Sequence, residues 1–333
     1  MTKTKLPRRQ FLHLAAGASV LPVVSRTAWA QAYPVRPITL VIPFAAGGAF
    51  DVIARVMTPR LSEILHQQVI VENIGAAAGI VGTNRVAHAA PDGYTMLLGT
   101  VGTHAYNPAL YKRLPYNPAS DFTPVGLVAE QPMVLIVRKD FPANTLAEFI
   151  AYTKANNAKL QYGSAGVGST THLACALLNA ATGINVTHVP YRGGGPAMAD
   201  MIGGQVHYMC SNAPGALPQM QGGTVKAIAL LSRDRSPLVP DLATAHEQGV
   251  ADFDAVSWSG LFLPKGTPAP IVTKLNLAVS EAIDSKAVHD RMYELGTTLV
   301  HSDRRSPAYL QALVEREVAK WGPPIKAAGI SAD

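Results

Sequence analysis

The chain has 333 residues, of which 48% are hydrophobic and 15% charged, and its formal net charge at pH 7 is +6. This composition is typical of a globular protein with a large buried core and excludes an intrinsically disordered chain. Five basic residues and no acidic residue lie in the first 30 positions, so the net charge of the remaining chain falls from +6 to +1. A charge this small gives no reason to expect nucleic acid or an acidic membrane surface as a partner.

The first 30 residues have the features of a cleavable export signal. Arg8 and Arg9 precede an apolar stretch at residues 12–24, and Ala28-Trp29-Ala30 follows it. The stretch is too short to span a bilayer, and an A-x-A sequence is typical of signal-peptide cleavage. We therefore expect cleavage near Ala30 and a periplasmic mature protein. The paired arginines before Phe-Leu favour the twin-arginine route, with an ordinary secretory signal as the alternative.

Beyond residue 30, short β-rich runs alternate with helical patterns. Strands are predicted at 38–42, 69–72, 94–98, 134–137, 160–162 and 186–189, and the runs 196–202, 206–210, 225–231 and 260–263 continue the alternation. Helices are predicted at 51–66, 80–89, 145–155, 170–181, 270–284, 287–295 and 306–328. Clusters of Pro and Gly at 106–126, 190–196, 212–223 and 264–270 predict loops or crossings. The pattern predicts an α/β fold of parallel sheets with helices on both faces, and the length favours two lobes.

Two glycine-rich turns between a strand and a helix are candidate anion sites. Residues 43–51 read Pro-Phe-Ala-Ala-Gly-Gly-Ala-Phe-Asp, and residues 163–172 read Gly-Ser-Ala-Gly-Val-Gly-Ser-Thr-Thr-His. Free N–H groups and the dipole at a helix start favour a bound anion, and glycine lets the ligand approach the backbone. Asp51 is expected to cap the first helix near the site. A plain strand–helix turn is the alternative for the first segment.

Two further turns could reach the same region. Residues 99–104 follow the predicted strand 94–98, and Tyr191 precedes Arg192 and three glycines. Ligand sites commonly gather after the strands of a parallel sheet. The second turn could form the rim of a cleft or simply connect two elements.

Motifs of catalysis and cofactor binding do not occur in this sequence. It contains no G-x-G-x-x-G, phosphate loop, G-x-S-x-G or H-E-x-x-H. His172, His188 and His207 match no metal-ligand spacing, which favours structural roles. We therefore expect no catalytic residue, no metal and no cofactor.

The sequence contains two cysteines, Cys175 and Cys210. Their spacing leaves open whether they pair in an oxidising compartment. Each lies among apolar residues, which favours two buried, unpaired thiols.

Several short sequence motifs, in their order along the chain, resemble those of the Bordetella-uptake-gene (Bug) family of extracytoplasmic solute receptors, the binding components of tripartite tricarboxylate transporters. The resemblance runs from Tyr33-Pro34 to the end of the chain. The phrases that carry it are residues 43–51, Val71-Glu72-Asn73, Ala90-Pro91-Asp92-Gly93-Tyr94-Thr95, Asn107-Pro108-Ala109-Leu110-Tyr111, His188-Val189-Pro190-Tyr191, Gly203-Gly204-Gln205-Val206 and Ala319-Lys320-Trp321.

The resemblance implies a two-lobed periplasmic-binding-protein (Venus flytrap) fold, each lobe a mostly parallel sheet flanked by helices. Lobe I would contain residues 33–131 and 256–333, and lobe II residues 132–255. The lobes would close on a small carboxylate or dicarboxylate, and integral-membrane transporter subunits would recognise the closed form. We expect a monomer without enzymatic activity. A solute sensor for a signalling partner and an exported cofactor-dependent enzyme are the alternatives.

The family's ligand contacts can be carried over to these turns. One carboxylate would meet the turn 44–49, and lobe II would contribute the turn 164–170 and His172. Ala46, Ala49 and Phe50 depart from the family's Pro-Gly-Gly-Ser/Thr-x-Asp, and residues 209–212 read Met-Cys-Ser-Asn where many relatives have Met-Phe-Asp-Asn. Both departures favour a ligand without an ammonium group. The expected ligand-binding residues are Phe44, Ala45, Gly47, Gly48, Ala49, Phe50, Gly102, Thr103, Ser164, Gly168, Ser169, Thr170, His172, Tyr191 and Ser211.

Overall fold

A computed structural model of the chain describes residues 33–327 and 329–331. The predicted export signal, residues 1–30, lies outside these residues. From Arg36 onward the described residues form one compact unit. Within the described ranges, no helix is both long and apolar enough to cross a membrane.

The strands of the described residues belong to one continuous sheet. Its order is β2-β1-β3-β9-β4-β7-β5-β6, and β8 and β10 both pair with β4. The strands are β1 (Ile38–Ile42), β2 (Val69–Asn73), β3 (Thr95–Thr100), β4 (Phe122–Arg138), β5 (Gln161–Ser164), β6 (Thr187–Pro190), β7 (Tyr208–Asn212), β8 (Val225–Leu230), β9 (Val256–Pro264) and β10 (Thr298–Leu299).

Helices flank this sheet and follow most of its strands. They are α1 (Ala49–Leu65), α2 (Ile80–Ala87), α3 (Asn107–Leu110), α4 (Leu146–Ala155), α5 (Thr170–Thr182), α6 (Gly194–Ile202), α7 (Ala213–Gln221), α8 (Ala269–Asp284), α9 (Lys286–Glu294) and α10 (Pro307–Ala327). A π-helix, Gly102–Tyr106, precedes α3. Thr145 and Glu148 form the capping box that starts α4, as the sequence predicts.

Strand β4 joins two halves of the sheet. Up to Pro132 it pairs with β9, and from Met133 it pairs with β7 and β8. We call the part with β1, β2, β3, β9 and β10 the first sheet half, and the part with β5, β6, β7 and β8 the second sheet half. The predicted parallel pairing holds for β1 with β2 and β3 and for β5 with β6 and β7. The pairs made by β4 and β9 are antiparallel.

The second sheet half is buried on both faces. Met133, Leu135 and Val137 of β4 pack into one hydrophobic cluster, whereas Val134 and Ile136 pack into another. Successive side chains of a strand point to opposite faces, so a continuous apolar run fits a sheet covered on both sides. The long antiparallel β4 begins at Phe122, within the segment 106–126 where loops or crossings were predicted.

Two expectations for the second sheet half are wrong. Residues 213–221 form α7 where loops or crossings were predicted, because Pro214 lies at the start of the helix, where the missing N–H costs nothing. Cys175 of α5 and Cys210 of β7 are not free thiols but form a disulfide with Cα atoms 5.4 Å apart. Both are fully buried, as expected. Their pairing depends on how α5 packs on β7, which their spacing does not reveal.

Candidate functional site

Four helices begin around one small cavity of about 30 Å³. They are α1, α5, α6 and α7, and each follows a strand: β1, β5, β6 and β7 respectively. The first N–H groups of a helix lack intrahelical partners, and the helix dipole makes its start positive. Four such starts therefore favour a bound anion without a cationic side chain. The cavity is lined by Phe44, Gly47, Gly48, Ala49, Phe50, Asp51, Ala165, Thr171, Gly194, Met198, Ser211, Asn212 and Gly215.

The turn before α1 contributes backbone donors. Gly48 precedes the helix and makes no side-chain cap, so the amides of Ala49 and Phe50 lack intrahelical acceptors. Two other amides of this turn are engaged. Gly47 donates to Asp51 Oδ2 at 2.9 Å, and Ala45 donates to the Arg192 carbonyl at 3.0 Å. The Gly47 and Ala45 amides are therefore not free for a ligand, whereas the amides of Ala49 and Phe50 at the helix start are.

Asp51 is the one charged residue among the described residues that line the cavity. Burial by itself would raise its pKa, but hydrogen bonds from Arg55, the Gly47 amide and Asn73 outweigh burial and lower the pKa. Its carboxylate is thus ionised and paired with Arg55 Nε at 3.0 Å. The negative charge of Asp51 is compensated by Arg55, so it does not repel an approaching anion strongly. Asp51 also stabilises the turn before α1 by accepting the hydrogen bond from the Gly47 amide.

The turn before α5 uses most of its polar groups to hold its own shape. Ser169 is the N-cap: its Oγ accepts from the His172 amide at 3.2 Å and donates to the Gly166 carbonyl at 2.7 Å. The Gly168 amide donates to His172 Nδ1 at 3.1 Å. Neither Ser169, Gly168 nor His172 lines the cavity. Thr170 Oγ1 is buried without a hydrogen-bond partner, although Thr170 also lies outside the cavity lining.

The histidines beside this turn are uncharged at neutral pH. The rings of His172 and His188 stack with centroids 4.2 Å apart. Burial, together with the neighbouring His188, lowers the pKa of His172 to about 3, and burial lowers that of His188 to about 4. His188 Nε2 lies 2.6 Å from Ser164 Oγ, which fixes this hydroxyl away from the cavity. No group of three His, Cys, Asp or Glu in the described ranges could hold a metal ion.

Gly102, Thr103 and Tyr191 also lie outside the cavity lining. A Cβ atom at Gly102 would lie 3.2 Å from the Gly168 carbonyl oxygen, so the π-helix touches the turn before α5. Thr103 is fully buried and bonds to Thr100 and His104. The Tyr191 hydroxyl donates to Asp200 at 2.8 Å. Burial and Asp200 raise the pKa of Tyr191 to about 12.

The structure adds a cavity residue that sequence reasoning missed, Asn212. It ends β7, is the N-cap residue of α7 and is 2% exposed, and its side-chain Nδ2 has no hydrogen-bond partner among the described residues. Its position between a strand and a helix matches the other turns, but the Pro/Gly cluster that follows suggested a loop. Ser211, which was predicted, lines the cavity beside it.

An apolar wall completes the cavity. The rings of Phe44 and Phe50 stack with centroids 5.5 Å apart, and Met198 also lines the space. Across from them, the segment 193–195 packs backbone on backbone against the turn before α1: a Cβ atom at Gly48 would lie 3.4 Å from the Gly194 amide nitrogen. A space of about 30 Å³ holds one water molecule rather than an organic acid. Access for such a ligand requires the turns to separate.

Comparisons with known proteins agree with this architecture. Residues 53–330 match the profile of the "Tripartite tricarboxylate transporter family receptor". The periplasmic binding protein BugD is 40% identical, with a TM-score of 0.88 over 90% of this chain and 99% of that one. MatC from Rhodopseudomonas palustris with bound malate is 43% identical, with a TM-score of 0.85 over 87% and 99%. A second R. palustris protein, with adipate, is 36% identical, with a TM-score of 0.85 over 90% and 99%. The predicted periplasmic-binding-protein fold is confirmed.

Proposed function

This chain belongs to the tripartite tricarboxylate transporter receptor family, and we propose that it captures a small carboxylate or dicarboxylate for the membrane subunits of such a transporter. Membership confirms the family resemblance read from the sequence. The solved relatives are binding proteins, which argues for capture rather than catalysis. The observation that carries the proposal is the convergence of four helix starts on one cavity whose single charged residue, among those described, is already paired.

Capture proceeds by closure of two lobes, residues 33–131 with 256–333 and residues 132–255. The exchange of partners along β4 supports this division, because β4 leaves β9 after Pro132 and joins β7 and β8 from Met133. Strand β9 begins at Val256, beside Pro132. A rotation about β4 at Pro132–Met133 and about the start of β9 at Val256 separates the turn before α1 from segment 193–195 and opens the cavity. The closed form is the one that the transporter recognises.

The ligand is an organic acid without an ammonium group. The donors at the cavity are main-chain amides and the unpartnered Asn212 amide, which suit carboxylate oxygens, whereas the Ser211 hydroxyl donates to the Asn212 carbonyl at 3.2 Å. Asp51 is engaged by Arg55, so no free acid pairs with an ammonium group. Phe44 and Phe50 give the carbon chain an apolar wall. The four-carbon malate and six-carbon adipate of the relatives indicate the size range to test.

The protein works in the periplasm as a monomer, after cleavage near Ala30. The export features of residues 1–30 and the periplasmic relatives support this location.

A thermal-shift screen of the exported protein tests the proposal. Malate, adipate, other aliphatic diacids, benzoate and aspartate are compared, with arginine as a cationic control. An acid at 100 times its Kd stabilises by about 2.7 kcal/mol, which raises Tm on the order of 5 °C for a chain of this size. We expect such a shift from at least one acid and a smaller one from aspartate. A shift with arginine and none with any acid would refute the proposal.

A further inference from the structure

A second pocket, of about 250 Å³, lies where the two sheet halves join. We call it the junction pocket. Strands β4 and β9 supply its floor, the segment 232–238 after β8 supplies one side, and the end of α9 with the start of β10 supplies the other. Its lining includes Glu130, Pro132, Asp234, Leu238, Val256, Tyr293 and Thr297.

The junction pocket is separate from the anion cavity but adjoins the same helix. A Cβ atom at Gly296, in the pocket lining, would lie 2.9 Å from Cβ of Ala213, the first residue of α7. Pro132 of the pocket precedes Met133, whose partner across the sheet is the cavity residue Asn212. The start of α7 therefore contacts both spaces.

A buried hydroxyl of this pocket lacks a partner. Thr297 is 4% exposed, and its Oγ1 makes no hydrogen bond within the described residues. Leaving a buried hydroxyl unsatisfied is unfavourable, so a ligand that bonds to it gains binding energy. The feature therefore favours a ligand with a polar group directed toward Thr297.

One acidic residue of the pocket lining has no ion-pair partner among the described residues. Glu130 pairs with Arg304, and Arg235 pairs with Glu247. Asp234 has no ion pair within the described ranges, which gives the lining a surplus of one negative charge. Apolar walls accompany it, and the ring of Tyr293 is 51% exposed. An aromatic face beside an acid suits an organic cation.

We propose that the junction pocket binds a small organic cation with an apolar body, its ammonium group between Asp234 and the Thr297 hydroxyl. The pocket takes residues from both proposed lobes, segment 232–238 from one and Tyr293–Thr298 from the other. A ligand that touches both sides favours closed arrangements of the lobes over open ones, and therefore strengthens capture of an acid that also requires closure. This coupling, but not the site itself, rests on the proposed function.

Direct binding tests the site without any acid present. Benzylammonium is titrated into the exported protein by calorimetry, with neutral benzyl alcohol as the matched probe. We expect a millimolar Kd for benzylammonium, as suits a ligand of few atoms, and weaker binding of the alcohol. Thr297→Val should weaken binding about tenfold and Asp234→Asn about threefold, whereas Asp140→Asn, an exposed acid outside the pocket, should not. Equal binding by all variants, or none by the unaltered protein, would overturn the site.

Coupling is measured next, with whichever acid the screen identifies. Saturating benzylammonium should tighten acid binding on the order of fivefold, and the acid should tighten benzylammonium binding by the same factor. Unchanged acid affinity, with benzylammonium still bound, would overturn the coupling. If no acid binds, the direct titrations still decide the site, so the failure of the proposed function is distinguishable.

Discussion

A methyl group added at Gly193 should oppose closure of the two turns. Gly193 precedes α6 with an extended backbone, φ 167°, so alanine fits there without local strain. Its Cβ atom would lie 2.7 Å from the Ala45 amide nitrogen and 3.0 Å from the Ala45 Cβ atom. These atoms belong to the backbone or are fixed to it, and the Ala45 amide is held by its hydrogen bond to the Arg192 carbonyl at 3.0 Å. The clash therefore cannot be relieved by moving a flexible side chain. The turns would have to separate by about 0.7 Å, from 2.7 Å to the ordinary contact of 3.4 Å.

The clash should appear as lost affinity. Overpacking of this kind costs about 1–3 kcal/mol. Because the clashing atoms lie in different proposed lobes, the cost falls on the closed form and reduces affinity roughly 5- to 150-fold. Gly322→Ala, in α10 and outside the cavity lining, is the matched control: its Cβ atom would meet nothing within 4 Å. That variant should bind within about twofold of the unaltered protein.

Titration calorimetry with the acid found in the screen measures both variants. Alanine is a poorer N-cap than glycine, so Gly193→Ala also costs up to about 1 kcal/mol of helix stability. Urea unfolding without ligand measures that part separately. Equal acid affinity of Gly193→Ala and Gly322→Ala would show that the acid is bound without closure of these turns.

Three further expectations follow from the site and the core. Asn212→Leu should weaken acid binding about tenfold without loss of ligand-free stability, because the buried Nδ2 has no protein partner; unchanged calorimetric affinity would place the acid elsewhere. The pKa values of folded His172 and His188, about 3 and about 4, lie below the usual 6.5, so the unfolded chain binds more protons in between. Stability should therefore fall as pH drops from 6.5 toward 4, by up to about 1.4 kcal/mol per pH unit for each histidine; urea unfolding at several pH values, with a smaller slope for His188→Gln, checks this. Replacing Cys175 and Cys210 together by alanine should cost about 3–4 kcal/mol in the same assay, and a stability equal to that of the unaltered protein would mean that the disulfide does not form.

Local sequence determines much of the secondary structure. The apolar run 38–42 predicts β1 with its observed bounds, and the capping box at Thr145 fixes the start of α4. Both depend on residues within a few positions of each other. Strand β4 is different: residues 122–126 belong to the Pro/Gly cluster 106–126 that predicted loops or crossings, yet they pair with β9 more than a hundred residues away. Such pairing is decided by the partner strand and not by local preference.

The candidate site also has some features that local sequence predicts and others that only tertiary packing decides. Glycines before a helix, with hydroxyls in the second case, identify the turns before α1 and α5 from the sequence, because helix starts leave N–H groups unpaired wherever they occur. Which polar groups remain available is decided by packing. Ser169 is satisfied within its own turn, whereas β7 and α7 leave Asn212 buried beside the cavity without a partner. The pairing of Cys175 with Cys210 likewise depends on α5 meeting β7. A hydrogen bond between near neighbours can be predicted from the sequence, but an unpaired group or a disulfide depends on residues that only folding brings together.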